Sequence, residues 1–431
     1  MKHASGDEPG VGTGPGLADA APVPRATSAL VVHESWAVAL EHATDQVMSP
    51  GDPAPDLLLL FASPAFGDDF GQLVRAARQR TGTSVLIGCS ASGLLANGRE
   101  VEDQAGLAIM AWWLPGARLY PVRLHQEHIE LLDDPALWHE LNDIPVDGVH
   151  SWLMFAEPYR IDAQALIQGL QARYPGVSIM GGLASGMVRE RTSCVFFDDR
   201  VYEEGGVALG IGGPYSLHPY VSQGCEPVGE SWTITAADHN TLIGISNRPA
   251  LDVLQATVNG LPPERRARAS NNLVVGLAGD EYRDTYGRGD FVVRGILGID
   301  PKRGSVAIGG VPRLGQTVQF HLRDAGTAEA DLARMMREVA ASGDPGSIVG
   351  SVVCTCDGRG EALFGASNHD SAVIRAALPH VPVAGAFCIG EIGPLGDRTV
   401  LHGFTATLGL LRHIPNEVFH QPDRGESAAT Y

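Results

Sequence analysis

Three short runs of small residues carry the first candidate chemistry. GCSASG at 88–93, GGLASG at 181–186 and GAFCIGE at 385–391 each continue an apolar strand pattern. A strand ending in such residues leaves N–H groups and hydroxyls uncovered at its C-terminal end, where open α/β sheets often bind ligands. Gly88, Gly181 and Gly182 would let a ligand approach the backbone, and Ser90, Ser92 and Ser185 can donate or accept hydrogen bonds. Cys89 stands among them. The same residue types also suit tight packing of sheet on sheet or helix on sheet, so both readings stay open.

A second group is charged: Arg359, Asn368, His369, Asp370 and Glu391. Gly358 and Gly360 flank Arg359, which places it on a turn with a guanidinium fork suited to a carboxylate ligand. Ser367, Asn368 and Asp370 open the next helix, where cap and dipole roles compete with ligand binding. Glu391 ends an apolar run and must be paired or exposed. It can pair with Arg359 or hold a ligand's ammonium group. Arg294 interrupts FVVRGILGI, and an edge or outward position is its simplest place.

Other chemistry is weakly marked. Cys354 and Cys356 alternate on a strand and read as core thiols rather than a zinc pair. Cys89 or Ser90 as a nucleophile of a hydrolase or transferase ranks last, because no base lies at a recognisable spacing and no strained G-x-S-x-G elbow is present. There is no H-E-x-x-H, Walker loop or dinucleotide fingerprint.

The elements that must position these groups follow a repeat. LLLLF at 57–61 reads as a buried strand, followed by a helix with Phe66, Phe70, Leu73, Val74 and Ala77 on one face, ended by Gly82. SWLMF at 151–155, a helix capped by Asp162, and the strand at 178–186 repeat that order. Gly88, Ser92 and Gly93 match Gly181, Ser185 and Gly186 at an offset of 93, and Gly106 matches Gly206 at 100. The difference belongs to an insertion in the second loop. A looser third copy runs from IVGSVVC at 348–354 through a helix stopped by Pro379 to 401–410. The expected fold is therefore α/β with mixed sheets, helices on their outer faces, and a repeated strand–helix–strand–strand unit.

The 431 residues exceed one ordinary core, so two parts are expected, 28–224 and 225–412, between a leader at 1–27 and a polar tail at 413–431. A net charge of −19 repels nucleic acid and anionic lipid. The short run PERRARA at 263–269 reads as a solvated helix face or loop. Six dispersed cysteines in apolar or Gly-rich runs, no signal-like start and no long apolar stretch point to the cytoplasm.

Several long strings then resemble one family. GCSASG at 88–93, the hairpin from Cys225 to Leu254, DFVVRGILGID at 290–300, GQTVQFHLRD at 315–324, CDGRGEALFGASNHD at 356–370 and VPVAGAFCIGEIGP at 381–394 resemble the FIST family over roughly residues 30–412. The resemblance implies a bacterial sensory module that binds a small amino-acid-like or carboxylate ligand and signals through a partner protein, rather than an enzyme. It implies no obligatory cofactor, although haem-binding relatives make His218, His321, His369 and His402 alternative axial ligands. No C-x-x-C-H motif occurs, so such a haem would be non-covalent. Unpaired edge strands would allow self-association. The site is expected where the three small-residue loops meet, with Arg359 and Glu391 as its charges.

Overall fold

A computed structural model describes residues 22–414, apart from 133, 135–137, 139–141, 187–192, 284 and 288. Most of the expected leader and tail, and the expected loop insertion of the second copy, lie outside the described residues.

The repeat is threefold. The first copy is β1 (Arg25–Val32), α1 (Trp36–Val47), β2 (Leu57–Ala62), α2 (Phe70–Thr81), β3 (Val85–Ser90), the hairpin β4 (Gly93–Ala96) and β5 (Arg99–Glu102), and β6 (Gly106–Trp113). The second is β7 (Arg118–Leu124), α3 (His128–Leu132), β8 (Ser151–Ala156), α4 (Ala163–Arg173), β9 (Ser178–Leu183), the hairpin β10 (Val195–Phe197) and β11 (Arg200–Tyr202), and β12 (Gly206–Gly212). The third opens with β13 (Tyr215–Gln223) and is then interrupted.

The interruption is a sheet of its own. It contains β14 (Cys225–Asp238), β15 (Thr241–Ile245), β16 (Arg248–Pro249), α5 (Ala250–Gly260), α6 (Pro263–Asn272), β17 (Leu273–Ala278), β18 (Phe291–Asp300), β19 (Ser305–Ile308) and β20 (Thr317–Arg323). Its seven strands run β14-β20-β17-β18-β19-β15-β16. The basic run at 263–269 falls on α6, as a helix face. The third copy then resumes with α7 (Ala325–Ala341), β21 (Ile348–Cys356), α8 (Gly360–Phe364), α9 (His369–Ala377), β22 (Val383–Cys388), the hairpin β23 (Glu391–Leu395) and β24 (Arg398–His402), and β25 (Thr405–His413).

Each copy builds four strands of a six-stranded sheet, and each sheet borrows its last hairpin from another copy. The orders are β1-β6-β2-β3-β10-β11, β7-β12-β8-β9-β23-β24 and β13-β25-β21-β22-β4-β5. The two sequence-defined parts are thus interlaced. In each sheet the two middle strands of a copy run parallel, as β2 with β3, β8 with β9 and β21 with β22.

Alternation along the strands explains the layers. One face of all three sheets points to a shared centre, where Phe61, Phe155, Met110, Leu209, Cys354 and Leu411 are buried together. The opposite faces carry separate cores under α1 and α2, under α3 and α4, and under α7 and α9. Local signals hold at the helix ends. The Asp162 side chain accepts from Ala165 N at 2.9 Å, and Gly82 adopts the left-handed conformation (φ 71°) that stops α2.

Close pairing explains three glycines. Gly88, Gly181 and Gly385 sit opposite Leu60, Met154 and Val353 in the parallel pairs. A Cβ at these positions would lie 1.8, 1.7 and 2.1 Å from those residues' carbonyl oxygens. Gly88→Ala should therefore cost about 3 kcal/mol, the upper end of overpacking, as a drop in the urea midpoint without a change in slope. The expected match of Gly106 with Gly206 is off by one: Ser63 N donates to Gly106 O, and Glu157 N to Gly205 O.

Candidate functional site

The three small-residue loops do meet, and they close on one another. The Ser90 hydroxyl donates to the Ser185 carbonyl at 2.8 Å and accepts from Cys194 N at 2.9 Å. The Ser185 hydroxyl donates to the Phe387 carbonyl at 2.5 Å, accepts from Ser92 N at 2.8 Å and lies 3.0 Å from the Ser92 hydroxyl. Gly182 makes room for the Cys388 thiol, and Gly93 for the Phe387 ring. Gly88, Cys89, Gly181 and Gly182 are buried in this packing. Here the packing reading of these residues has a complete physical account. Burial pushes the Cys89 thiol well above its ordinary pKa, and no histidine or carboxylate bonds Ser90 among the described residues. Neither is set up as a nucleophile.

The third copy differs from the other two at one corner. By strand register, Leu94, Val195 and Glu391 are equivalent: they pair with Ala386, Cys89 and Gly182. Leu94 and Val195 are apolar members of the shared centre, while Glu391 puts a fully buried carboxyl at the same place. Its Oε2 accepts from Thr405 N at 3.1 Å and from the Thr405 hydroxyl at 2.7 Å. Its Oε1 has no partner. Burial pushes the Glu391 pKa up to about 8; the Thr405 bonds oppose this, and Asp357 adds to it.

Arg359 sits on a turn, as the flanking glycines suggested, and it is fully buried there. Its fork is already taken by Asp370, with Nε to Oδ2 at 2.6 Å and Nη2 to Oδ1 at 3.0 Å. Thr355 Oγ1 donates to the same carboxylate at 3.1 Å, and His369 Nδ1 lies 3.1 Å from it. Burial works against the Asp370 charge, yet Arg359 and His369 hold its carboxyl well below the usual range. Arg359 Nη1 remains buried without a partner, beside Gly224. Arg359 and Glu391 thus share one charged corner without an ion pair between them. Asn368 takes the N-cap position in the left-handed conformation, but its Oδ1 accepts from Glu100 N at 2.6 Å and caps nothing.

Arg294 also departs from expectation. It does not point outward at an edge. It lies on an inner strand of the inserted sheet, where Nη2 donates to the Leu401 carbonyl at 2.9 Å and Nη1 to that of Val293 at 3.0 Å. Burial lowers its pKa to about 10. His402 is the cross-strand partner of Glu391 and also lines a groove of about 250 Å³ with Tyr220, Gln223, Asp331 and Pro394.

The surroundings of the expected haem ligands do not fit that group. His321 is fully buried, edge-on to Phe291. His369 stacks on Phe364 at 3.6 Å. His402 Nε2 faces the carbonyls of Gly393 and Pro394 at 3.2 Å, and burial with nearby Arg294 lowers its pKa to about 4. His218 lies half-buried on β13 opposite Leu410. The groove beside His402 is smaller than the ~300–1,000 Å³ of sites that enclose a drug-sized ligand, and a haem is larger still.

Sequence reasoning missed Thr405, Asp357, Arg323, Glu100 and Glu102. Glu100 accepts from Ser371 N at 2.6 Å and Glu102 from Glu361 N at 2.8 Å, so the borrowed β4–β5 hairpin holds the starts of α8 and α9. The alternating acids of GREVE were a visible signal, but their target was not. All six cysteines are buried and unpaired, as expected. No described helix is long and apolar enough to cross a membrane.

Comparison with known proteins agrees with the resemblance. An uncharacterised Mycobacterium tuberculosis protein is 35% identical over 379 residues, 88% of this chain and 96% of that one. A Mycobacterium bovis protein is 36% identical over 357 residues, 83% of this chain and 90% of its own. An F-box/LRR-repeat protein of Arabidopsis thaliana is 32% identical over 84 residues, 19% of this chain and 16% of its own. A solved cyanuric acid hydrolase from A. caulinodans aligns over 90% of this chain and 100% of its own, but with 9% identity and a TM-score of 0.31 it carries no argument. The profile of the FIST N domain matches residues 56–248 and that of the FIST C domain residues 250–394, so the chain belongs to the FIST family.

Proposed function

We propose that this chain is a cytoplasmic sensory module that binds a small amino-acid-like or carboxylate metabolite at the Glu391–Arg359 corner and signals through a partner protein. FIST domains are in general sensory domains that bind small ligands in signalling proteins. The observation that carries the site is internal: the fold is satisfied by Leu94 and Val195 at two of three equivalent places, and the third holds a buried carboxyl. A buried carboxyl oxygen and guanidinium nitrogen without partners are costly, and a ligand can offset that cost. An ammonium group suits Glu391 Oε1 as it draws the carboxyl into its ionised form; a carboxylate or carbonyl suits Arg359 Nη1.

The test is a thermal-shift screen, with native mass spectrometry, of amino acids and small carboxylates. A binder present at 100 times its Kd stabilises by about 2.7 kcal/mol, a shift of several degrees. Glu391→Leu, which restores the residue type of the other copies, should abolish the shift. A panel in which nothing binds the wild type, or in which the variant binds equally well, removes this reading.

A further inference from the structure

The unpartnered atoms of Glu391 and Arg359 are buried, so the corner is shut. A ligand can reach them only if the covering segments part. Gly224 lies against Arg359 Nη1, and two further segments line the corner: 356–360, which carries Arg359, and 401–405, which carries Thr405. Each is held by an arginine of the inserted sheet. Arg323, at the end of β20, donates to the Gly358 carbonyl. Arg294, on β18, donates to the Leu401 carbonyl. Neither makes an ion pair among the described residues. Their guanidinium groups are spent on main-chain carbonyls of the two covering segments, apart from the Arg294 bond to Val293.

Gln223 adds two hydrogen bonds across the seam, its Nε2 donating to the Phe291 carbonyl at 2.6 Å and its Oε1 accepting from Gly289 N at 3.2 Å. The Arg323 guanidinium lies over the Phe404 ring, 5.1 Å from its centre. Phe404 packs against Cys225, Val274 and Val293, a small cluster separate from the larger cores. The inserted sheet keeps its own core, including Val275, Phe320 and Ile308. It can move as a body against the ring formed by the three hairpin-exchanging sheets without exposing that core, because the core lies within the inserted sheet.

We propose that the inserted sheet, 225–323, is the moving part of the sensor: Arg294 and Arg323 latch the two segments over the corner, and a ligand entering between Glu391 and Arg359 releases the latch and shifts the sheet against the ring. This rests on the reading of that corner as the ligand site. Both arginines are positioning residues.

Two native thiols report on the seam. Cys225 opens β14 and Cys356 closes β21, and both are buried. Cys89 lies in the shared centre of the ring and serves as the reference. The full-length protein is labelled with a thiol reagent and the modified cysteines are resolved by mass spectrometry. Arg294→Gln and Arg323→Gln should each raise labelling of Cys225 and Cys356 about tenfold with Cys89 unchanged, the signature of local rather than global opening. Arg323→Lys, which keeps a donor, should restore much of the protection. The inference is overturned if the seam thiols react in step with Cys89 in every variant, or if neither glutamine variant changes them. If the latch behaves as expected but no compound binds, the site reading falls alone. If compounds bind while the seam thiols stay as protected as Cys89, the latch falls alone.

Discussion

Asp370→Ala should be the most damaging single substitution in the charged corner, costing about 3–5 kcal/mol. Asp370 is buried and holds two nitrogens of Arg359, a residue with no exposed surface. Removing the carboxylate leaves a guanidinium that cannot reach water and has lost its one ion-pair partner among the described residues. The penalty is desolvation, not the loss of an attraction. It follows that Arg359→Met combined with Asp370→Leu should recover most of the loss, since apolar replacement of a whole buried pair is often close to neutral. Urea unfolding of the two single variants and the double variant at pH 7 checks this. Additive single losses in the double variant would mean that the two side chains do not act as a pair.

Glu391→Gln should change the pH dependence of stability. In the folded protein Glu391 keeps its proton up to about pH 8, whereas its ordinary pKa is 4.5. Between those values the native state binds a proton that the unfolded chain has released. The stability this group contributes is therefore complete below pH 4.5 and lost as the pH rises through 8, at about 1.4 kcal/mol per pH unit. Glutamine cannot ionise and still offers an oxygen to Thr405. The difference in stability between variant and wild type should thus grow in favour of the variant by several kcal/mol from pH 5 to pH 8. A flat difference across that range would show that Glu391 titrates normally. Leucine is a poorer probe here, because Thr405 N and its hydroxyl would lose their acceptor.

Much of the fold was legible because its signals are local. The apolar runs at 57–61 and 151–155, the Asp162 cap and the Gly82 stop depend only on neighbours along the chain. The repeat was legible because Gly88 and Gly181 answer the same demand, close approach of a parallel strand's carbonyl. The exchange of hairpins was not. Residues 94–96 pair with β22 nearly 300 positions away, and nothing in GLLANGREVE names that edge. The same limit hid the chemistry. Glycines on either side of Arg359 suggested a turn with a fork suited to a ligand carboxylate, but its partner Asp370 and the Glu100 and Glu102 contacts arrive from elsewhere in space. Arg294 read as an outward residue because its acceptor, the Leu401 carbonyl, lies 107 positions away. Glu391 was legible as an anomaly within an apolar run, and the structure explains why it is one.

The borrowed hairpins also dictate the order in which the molecule can be completed. As the chain leaves the ribosome, the first sheet can finish once 195–202 have appeared. The second must wait for 391–402, and the third must recover 93–102, made long before. A chain stopped at the boundary between the two matched profiles would therefore leave β9 without its neighbour and β4–β5 without a sheet to join. Such open strands seek other chains. Neither half is a part that can be lent to another protein alone, and a shortened copy should trade hairpins with its neighbours rather than stand by itself.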